Sequence, residues 1–252
     1  MAREDLQAAV ESNPLWYHTL ELAPGVATPG WFDLRPVVEL MPWPEVAGKR
    51  CLDVGTYDGF LAFELERRGA LEVIAVDVQD HGRWDWPIRT REQGPARLAE
   101  LAGERKGLGF ELASEALGSS VERREISAYD LDPSEVGEFD VVVCGSLMLH
   151  LRDPVRALEA IRSVCAGAFL SAETVDPRLS VLSPRRPAAR FRGGDRIQWW
   201  IPNAAGHRRM LEAAGFRVDG PGRRYRIPLG EGHPARGRRG VPHSALVAQP
   251  AL

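Results

Sequence analysis

The strongest constraint on the fold is one unit of about thirty residues in the first third of the chain. Residues 50–54, which include Cys51, Leu52 and Val54, predict a buried strand that stops at Gly55. Residues 57–68 then carry apolar side chains on one helical face and end at Gly69. Residues 71–77 form a second apolar strand. A strand, a helix and a strand in this order predict a parallel sheet with a right-handed crossover.

The same alternation continues downstream. Further strands are predicted at residues 121–129, 139–145 and 164–173, with two more beginning at residues 216 and 244. Asp153 is a candidate N-cap for a helix that starts at Pro154, and a second helix is predicted over residues 203–214. Residues 176–202 resemble a loop. Strands that alternate with helices predict a doubly wound α/β fold with seven strands.

Residues 1–48 differ in composition from this core. They are rich in proline and aromatic residues, with a possible helix over residues 2–11. Asp33 resembles the N-cap of a short helix that ends near residue 40. We therefore predict an N-terminal lid over residues 1–48 and a ligand-binding domain over residues 49–252.

Composition excludes several classes of protein. Apolar residues make up 44% and charged residues 27% of the chain, which is typical of a globular protein. The longest uncharged apolar run, residues 141–151, is too short to cross a bilayer, and the first twenty residues contain no secretory h-region. Cys51, Cys144 and Cys165 sit in apolar runs with no metal-ligand or disulfide spacing, so we expect reduced thiols in a cytoplasmic protein without a metal.

Charge is distributed unevenly. The net charge is −3, yet residues 178–252 hold 15 arginines and 4 acids, a net of +11. A basic third attracts anions such as nucleic acid, phosphate or acidic metabolites. The alternative is that arginine, which replaces lysine almost throughout, fills solvated positions.

The loop after the first strand carries the main chemical signal. Gly55 allows a ligand to approach the backbone closely, at a helix N-terminus with free N–H groups. A dinucleotide motif requires glycines where Tyr57 and Phe60 stand. Asp53 and Asp58 flank the loop, and carboxylates repel a pyrophosphate but attract an ammonium or sulfonium group. The loop therefore predicts a site for a cationic adenosyl ligand.

Asp77 strengthens this interpretation, because an acid at the end of the second strand can accept the ribose hydroxyls. The motif D-V-G-x-x-D-G-F, followed by Val76-Asp77, resembles the class I S-adenosylmethionine-dependent methyltransferases. The resemblance covers residues 49–220. It implies a Rossmann-like, mostly parallel seven-stranded sheet and the cofactor S-adenosyl-L-methionine.

Flanking segments narrow the resemblance. Trp16-Tyr17-His18, residues 28–33 and residues 199–203 are similar to a subgroup that includes bacterial enzymes alkylating wobble uridine in tRNA, together with actinobacterial relatives. This second resemblance implies a tRNA uridine (carboxy)methyltransferase as an alternative. We favour methyl transfer to an O, N or C nucleophile of a small-molecule acceptor. A non-catalytic adenosyl- or RNA-binding module is a further alternative, and the oligomeric state is left open.

The class resemblance implies the roles of individual residues. The cofactor-binding candidates are Asp53, Gly55, Thr56, Tyr57, Gly59, Asp77, Val78, Ala128, Tyr129, Ser146 and Leu147. Asp53 and Gly55 would hold the methionine end, and Asp77 the ribose. Ala128 stands where the family often has an acid, which leaves backbone groups or Asp130 to bind the adenine amine.

The acceptor side has fewer candidates. His150, taken as the one histidine of the cleft, is a catalytic candidate as a general base, with packing or orienting as the alternative. Glu173 at the end of the fifth strand either contacts substrate or bonds a loop amide. The substrate candidates are Trp31, Trp84, Trp199 and Asn203. Aromatic residues in loops can stack on a flat substrate, form a lid or simply pack.

Overall fold

The computed structural model describes residues 3–102, 107–194 and 197–251. Its centre is a seven-stranded sheet. The strands are β1 (Arg50–Val54), β2 (Glu72–Asp77), β3 (Glu122–Glu125), β4 (Phe139–Gly145), β5 (Cys165–Thr174), β6 (Phe216–Ile227) and β7 (Val241–Pro250). Their order across the sheet is β6-β7-β5-β4-β1-β2-β3.

Strands β1 to β5 run parallel, whereas β7 is antiparallel to both β5 and β6. The predicted doubly wound, mostly parallel α/β sheet is therefore confirmed. The chain reverses its direction of progress between β3 and β4, so β1 and β4 are neighbours. In such sheets ligands bind outside the carboxyl ends of the strands at this switch point.

Helices cover both faces of the sheet. They are α1 (Arg3–Ser12), α2 (Phe60–Arg67), α3 (Ile88–Arg91), α4 (Pro95–Ala102), α5 (Leu108–Leu117), α6 (Pro133–Val136), α7 (Pro154–Val164), α8 (Pro177–Leu182) and α9 (Ala204–Ala213). Neighbouring residues of β1 alternate between the two apolar cores, with Cys51 in one and Leu52 in the other. Burial on both faces explains why the central strands β1 and β4 are mostly apolar, whereas the parallel strand β3 at the edge of the sheet consists of charged residues.

The N-terminal segment contributes to the core. Leu6, Val10 and Trp16 are buried in the same cluster as Cys51 of β1. A short hairpin, Glu21–Ala23 with Val26–Ala27, follows α1. The helix predicted to start at Asp33 was wrong: this side chain binds the nearby Arg35, and only one 3-10 turn, Val38–Leu40, forms there.

Other boundaries also differ from those predicted. Residues 176–202 were predicted to be a loop but contain α8 and a hairpin of Ala189–Phe191 with Trp200–Pro202. Strand β3 is shorter than predicted, and β7 begins at Val241, three residues before its predicted start. No helix in the described part of the chain combines the length and apolar character needed to cross a membrane.

Candidate functional site

A cavity of about 230 Å³ lies at the carboxyl ends of the first four strands, at the predicted switch point. Most of its lining comes from the N-terminal segment and from the loops after β1, β2, β3 and β4. Leu101 and Ala102 of α4 and Ile197 also contribute. The predicted residues on its wall are Trp31, Gly55, Tyr57, Asp77, Val78, Trp84, Ala128, Tyr129, Ser146, Leu147 and His150. The cavity therefore brings together eight of the eleven cofactor-binding candidates and three of the six catalytic and substrate candidates.

The loop after β1 turns through three left-handed residues, Gly55 with φ 80°, Tyr57 with φ 53° and Gly59 with φ 95°. A glycine adopts this conformation without strain, whereas a tyrosine pays a cost of about 1 kcal/mol or more. The ring of Tyr57 lines the cavity and packs 4.8 Å from that of Tyr17, centroid to centroid. The side chain of Tyr57 therefore forms part of the cavity wall.

Asp53 lies on β1 just before this loop and is 1% exposed. Neither carboxylate oxygen has a hydrogen-bond partner among the described residues. Burial raises the pKa of Asp53 to about 7, against a smaller opposing influence of the neighbouring Thr56 hydroxyl. A buried carboxylate without a partner is costly, and a cationic ligand end nearby would compensate for it. This feature fits the methionine end of the cofactor.

Asp77 ends β2 and borders the cavity. One carboxylate oxygen accepts the N–H of Tyr57 at 2.7 Å, and the other accepts that of Val78 at 2.7 Å. An ionised carboxylate has about four acceptor positions, so these bonds leave capacity for ribose hydroxyls. Asp77 thus holds the first loop against β2 and still fits its predicted role.

Ser146 follows β4 in a left-handed conformation, with φ 54°. Its N–H donates to the Ala172 carbonyl at 2.9 Å, and its hydroxyl lies 2.7 Å from Nε2 of His243. Burial lowers the pKa of His243 to about 4, which keeps the imidazole neutral. With Nδ1 directed at the Val241 carbonyl, Nε2 accepts the serine proton and leaves the serine oxygen as an acceptor at the cavity.

Glu173 lies below the loop after β4 and not on the cavity wall. It is 1% exposed, and its oxygens accept the N–H groups of Leu147 at 3.3 Å and Met148 at 3.2 Å. Burial raises its pKa to about 8. Of the two alternatives left open by the sequence, the geometry matches bonding to loop amides.

The side of the cavity beyond Val78 is closed by a network that the sequence did not reveal. The Asp85 carboxylate accepts a hydrogen bond from the Tyr129 hydroxyl at 2.6 Å and from the backbone N–H of Arg152 at 2.7 Å. Asp85 and Arg83 both line the cavity. Asp130, the suggested substitute for an adenine-binding acid, is not on the wall and lies 3.8 Å from Arg83.

The N-terminal segment forms the opposite wall through Tyr17, His18 and Trp31. Asp58 anchors it, because one carboxylate oxygen accepts the N–H groups of Tyr17 and His18, both at 2.8 Å. The other oxygen bonds Nδ1 of His18. Asp58 was expected to flank a cationic ligand, but it binds the chain itself. The expectation that His150 is the one histidine of the cleft was also wrong.

Asp53 does not line the cavity, and the remaining candidates also lie off its wall. Thr56 is buried. Gly59 lies where α2 approaches α5, since a Cβ there would lie 2.4 Å from the ring of Phe63 on α2 and 2.9 Å from that of Phe110 on α5. Trp199 packs behind the wall, where its ring N–H donates to the Asp85 carbonyl at 2.7 Å. Asn203 caps α9 and is fully buried, with its amide bonded to Gly206, Ala188, Ser183 and Arg186. Across the described ranges, no cluster of three or more potential metal ligands occurs.

A sheet of this order with its cavity at the switch point defines a class I methyltransferase fold. The family model for the methyltransferase domain matches residues 33–219, and the chain belongs to this family.

The curated proteins that match by sequence are distant relatives of this chain. The ubiquinone biosynthesis O-methyltransferase of Acinetobacter baylyi is 26% identical over 147 residues, covering 53% of this chain and 52% of that protein. The protein of the same name from Hahella chejuensis is 30% identical over 130 residues, covering 51% of this chain and 44% of that protein. The chain therefore spans about half the length of these curated relatives.

Solved structures share the fold. The N-terminal domain of EvdMO1 with SAH bound has a TM-score of 0.57 at 17% identity, covering 99% of this chain and 98% of that chain. The 1,6-didemethyltoxoflavin-N1-methyltransferase of Burkholderia thailandensis, with bound 1,6-didemethyltoxoflavin and S-adenosylhomocysteine, has a TM-score of 0.54 at 16% identity. It covers 87% of this chain and 78% of its own. At these identities the likeness concerns the fold.

Proposed function

We propose that this chain binds S-adenosyl-L-methionine and transfers its methyl group to a small-molecule acceptor. The observation that carries the proposal is the pair of carboxylates at the switch point. Asp53 is buried without a partner at the end of β1, and Asp77 borders the cavity at the end of β2. Charge and spacing both suit a ligand with a cationic methionine end and a ribose.

The cofactor, when bound, supplies an electrophilic methyl group on a sulfonium centre. Asp53 and the loop at Gly55 would hold its cationic end, and Asp77 its ribose. Val78 and Ala128 would flank the adenine with the ring of Tyr129, whose hydroxyl is engaged by Asp85. Ser146 would accept a hydrogen bond from a ligand N–H or O–H, since its own proton faces His243.

The acceptor would lie against the N-terminal wall. This part of the proposal treats residues 1–48 as the lid of a substrate chamber, supported by Tyr17, His18 and Trp31 on the cavity surface. The chamber is small and mainly apolar, so it would exclude water and position the acceptor against the methyl group. Because only this one group is transferred, positioning and exclusion of water would supply much of the rate of methyl transfer. Relatives named as O-methyltransferases favour an oxygen acceptor.

Calorimetric titration with S-adenosylmethionine tests the proposal. Asp77→Ala should weaken binding by about 1–3 kcal/mol, because hydrogen bonds to a charged acceptor are lost. Asp219→Ala is the matched control, since this carboxylate lies on β6 and, among the described residues, pairs only with Arg217, at 2.6 Å. Equal affinities for Asp77→Ala and the wild type would refute the ribose role.

A tRNA uridine (carboxy)methyltransferase is the second candidate. It is favoured by exposed arginines on the β6–β7 hairpin that have no carboxylate within 4 Å among the described residues. They are Arg223, Arg224, Arg226, Arg236, Arg238 and Arg239. The connecting loop reaches the cavity wall, where the Gly230 N–H donates to the Trp31 carbonyl at 2.8 Å. Titration of bulk tRNA at several salt concentrations tests this candidate. A binding constant that falls about tenfold per phosphate contact for each tenfold rise in salt concentration would favour it.

A further inference from the structure

His18 and Asp58 form a histidine–carboxylate pair at the cavity. His18 belongs to the N-terminal wall, and Asp58 to the loop before α2. The imidazole Nδ1 bonds one oxygen of Asp58, whose other oxygen is held by the two backbone N–H groups described above. Asp58 is 1% exposed, so the carboxylate that orients the imidazole is itself fixed.

This geometry sets the tautomer of His18. Because a carboxylate accepts from Nδ1, that nitrogen carries the proton, and Nε2 keeps its lone pair. No described residue hydrogen-bonds Nε2. The ring is packed against Tyr17 at 5.0 Å and Phe60 at 5.7 Å, centroid to centroid, and lines the cavity.

The other histidines near the cavity are differently engaged. Nδ1 of His150 bonds the Ile197 carbonyl, so the backbone holds this ring. His243 is buried with both ring nitrogens occupied, and its pKa is lowered to about 4. His18, oriented by Asp58, has the arrangement used by general bases, in which a third group orients the base.

We propose that His18 is the general base that removes the proton from an aromatic hydroxyl of the methyl acceptor, with Asp58 as its positioning residue. The inference rests on the proposed methyl transfer. The O–H bond breaks, and its proton passes to Nε2 of His18. The oxygen forms a bond to the methyl carbon, while the carbon–sulfur bond breaks and leaves its electrons on sulfur as a neutral thioether. The imidazolium, stabilised by Asp58, then loses its proton to solvent.

The walls indicate the acceptor class. Rings of Tyr17, Trp31, Tyr57 and Trp84 border the cavity, which suits a flat aromatic acceptor. A phenolic hydroxyl is almost entirely protonated at neutral pH, so its methylation gains from a base. His18 provides that base on the same wall as two of these rings.

The test compares two probe acceptors, catechol and para-nitrophenol, over a range of pH. His18→Asn places an amide N–H where Nδ1 was, so the bond to Asp58 and the wall are retained while the base is removed. We expect its rate with catechol at neutral pH to fall by about 100-fold or more, and the acidic limb of the pH profile to disappear. Transfer to para-nitrophenol at mildly alkaline pH, where this phenol is ionised, should change by less than about 5-fold.

His150→Asn is the matched comparison, because it also keeps a donor at the Nδ1 position of a cavity histidine. It should retain the acidic limb. The ionisable groups facing His18 are Asp58, Asp53 and Tyr17. Asp58→Asn removes the carboxylate that orients the imidazole and should lower kcat with catechol more than kcat with para-nitrophenol, with the KM for catechol little changed.

Equal losses on both phenols with an unchanged pH profile in His18→Asn would overturn the base assignment. Failure of the wild type to methylate either phenol, with S-adenosylmethionine binding intact, would overturn the acceptor class. Absence of S-adenosylmethionine binding in the wild type would instead contradict the proposed function. Calorimetry on each variant therefore separates the two proposals.

Discussion

Asp53 and Asp58 are five residues apart and look alike in sequence, yet the fold gives them opposite environments. Asp58 accepts three hydrogen bonds from the N-terminal segment, while Asp53 accepts none from the described residues. Sequence patterns indicated that carboxylates flank the loop. They could not distinguish a carboxylate without a hydrogen-bond partner from one that anchors a distant segment, because the anchoring donors lie 40 residues away.

Asp53→Asn tests whether Asp53 is kept for a ligand at the expense of stability. Burial raises its pKa in the folded protein from 3.8 to about 7, so the folded state binds more protons between these values. The stability contributed by this group is therefore lost as pH rises through about 7. Relative to the wild type, the ligand-free variant should gain about 1–3 kcal/mol in its free energy of unfolding at about pH 8, and much less at about pH 4.

Thermal unfolding of both proteins without ligand at the two pH values measures this difference. The same variant should bind S-adenosylmethionine more weakly at about pH 8, since the compensating charge is gone. A stability difference that does not vary with pH would contradict an ionisable, unpartnered Asp53.

At the scale of elements, β1, α2 and β2 were predicted within three residues of their observed bounds. Their apolar runs are bounded by Gly55 and Gly69, which leave little freedom in where each element ends. The hairpin within residues 189–202 was missed because its first strand is wholly exposed and shows no alternation of burial. Gly220 and Gly222 are typical of a turn, yet strand β6 continues through them. The strand accommodates them by a register shift between Asp219 and Arg223.

The N-terminal helix gives an element-scale prediction. Leu6 and Val10 of α1 are 5% and 2% exposed, and the Val10 carbonyl accepts the Trp16 ring N–H at 3.0 Å. Deleting residues 1–12 should lower the free energy of unfolding by about 3–6 kcal/mol, from two buried side chains of about 1.5–3 kcal/mol each. Urea denaturation measures the loss.

Arg3→Ala in the full chain is the control. Within the part of the chain that the structure describes, its exposed side chain bonds only the Gly25 carbonyl, at 3.3 Å, so we expect a change within about 0.5 kcal/mol. A deletion variant with the stability of the wild type would show that α1 is a detachable cover and not part of the core.

Over the whole molecule, the fold class and the cavity position could be predicted, because both follow from strand order and from motifs contained within short segments. The wall opposite the sheet could not. His18 meets Asp58 across 40 residues, and Ser146 meets His243 across 97. Such pairs arise only when the N-terminal segment and the last two strands close around the carboxyl edge of the sheet, and no local pattern encodes that closure.

The central claim is that the cavity at the switch point is an S-adenosylmethionine site. A crystal structure of the protein with S-adenosylhomocysteine tests it most directly. We predict the ligand in this cavity, with its ribose hydroxyls on Asp77, its amino acid end near Asp53 and Gly55, and its adenine beside Val78. A ligand bound elsewhere, or one in the cavity that makes no contact with Asp77 and the loop at Gly55, would contradict the account.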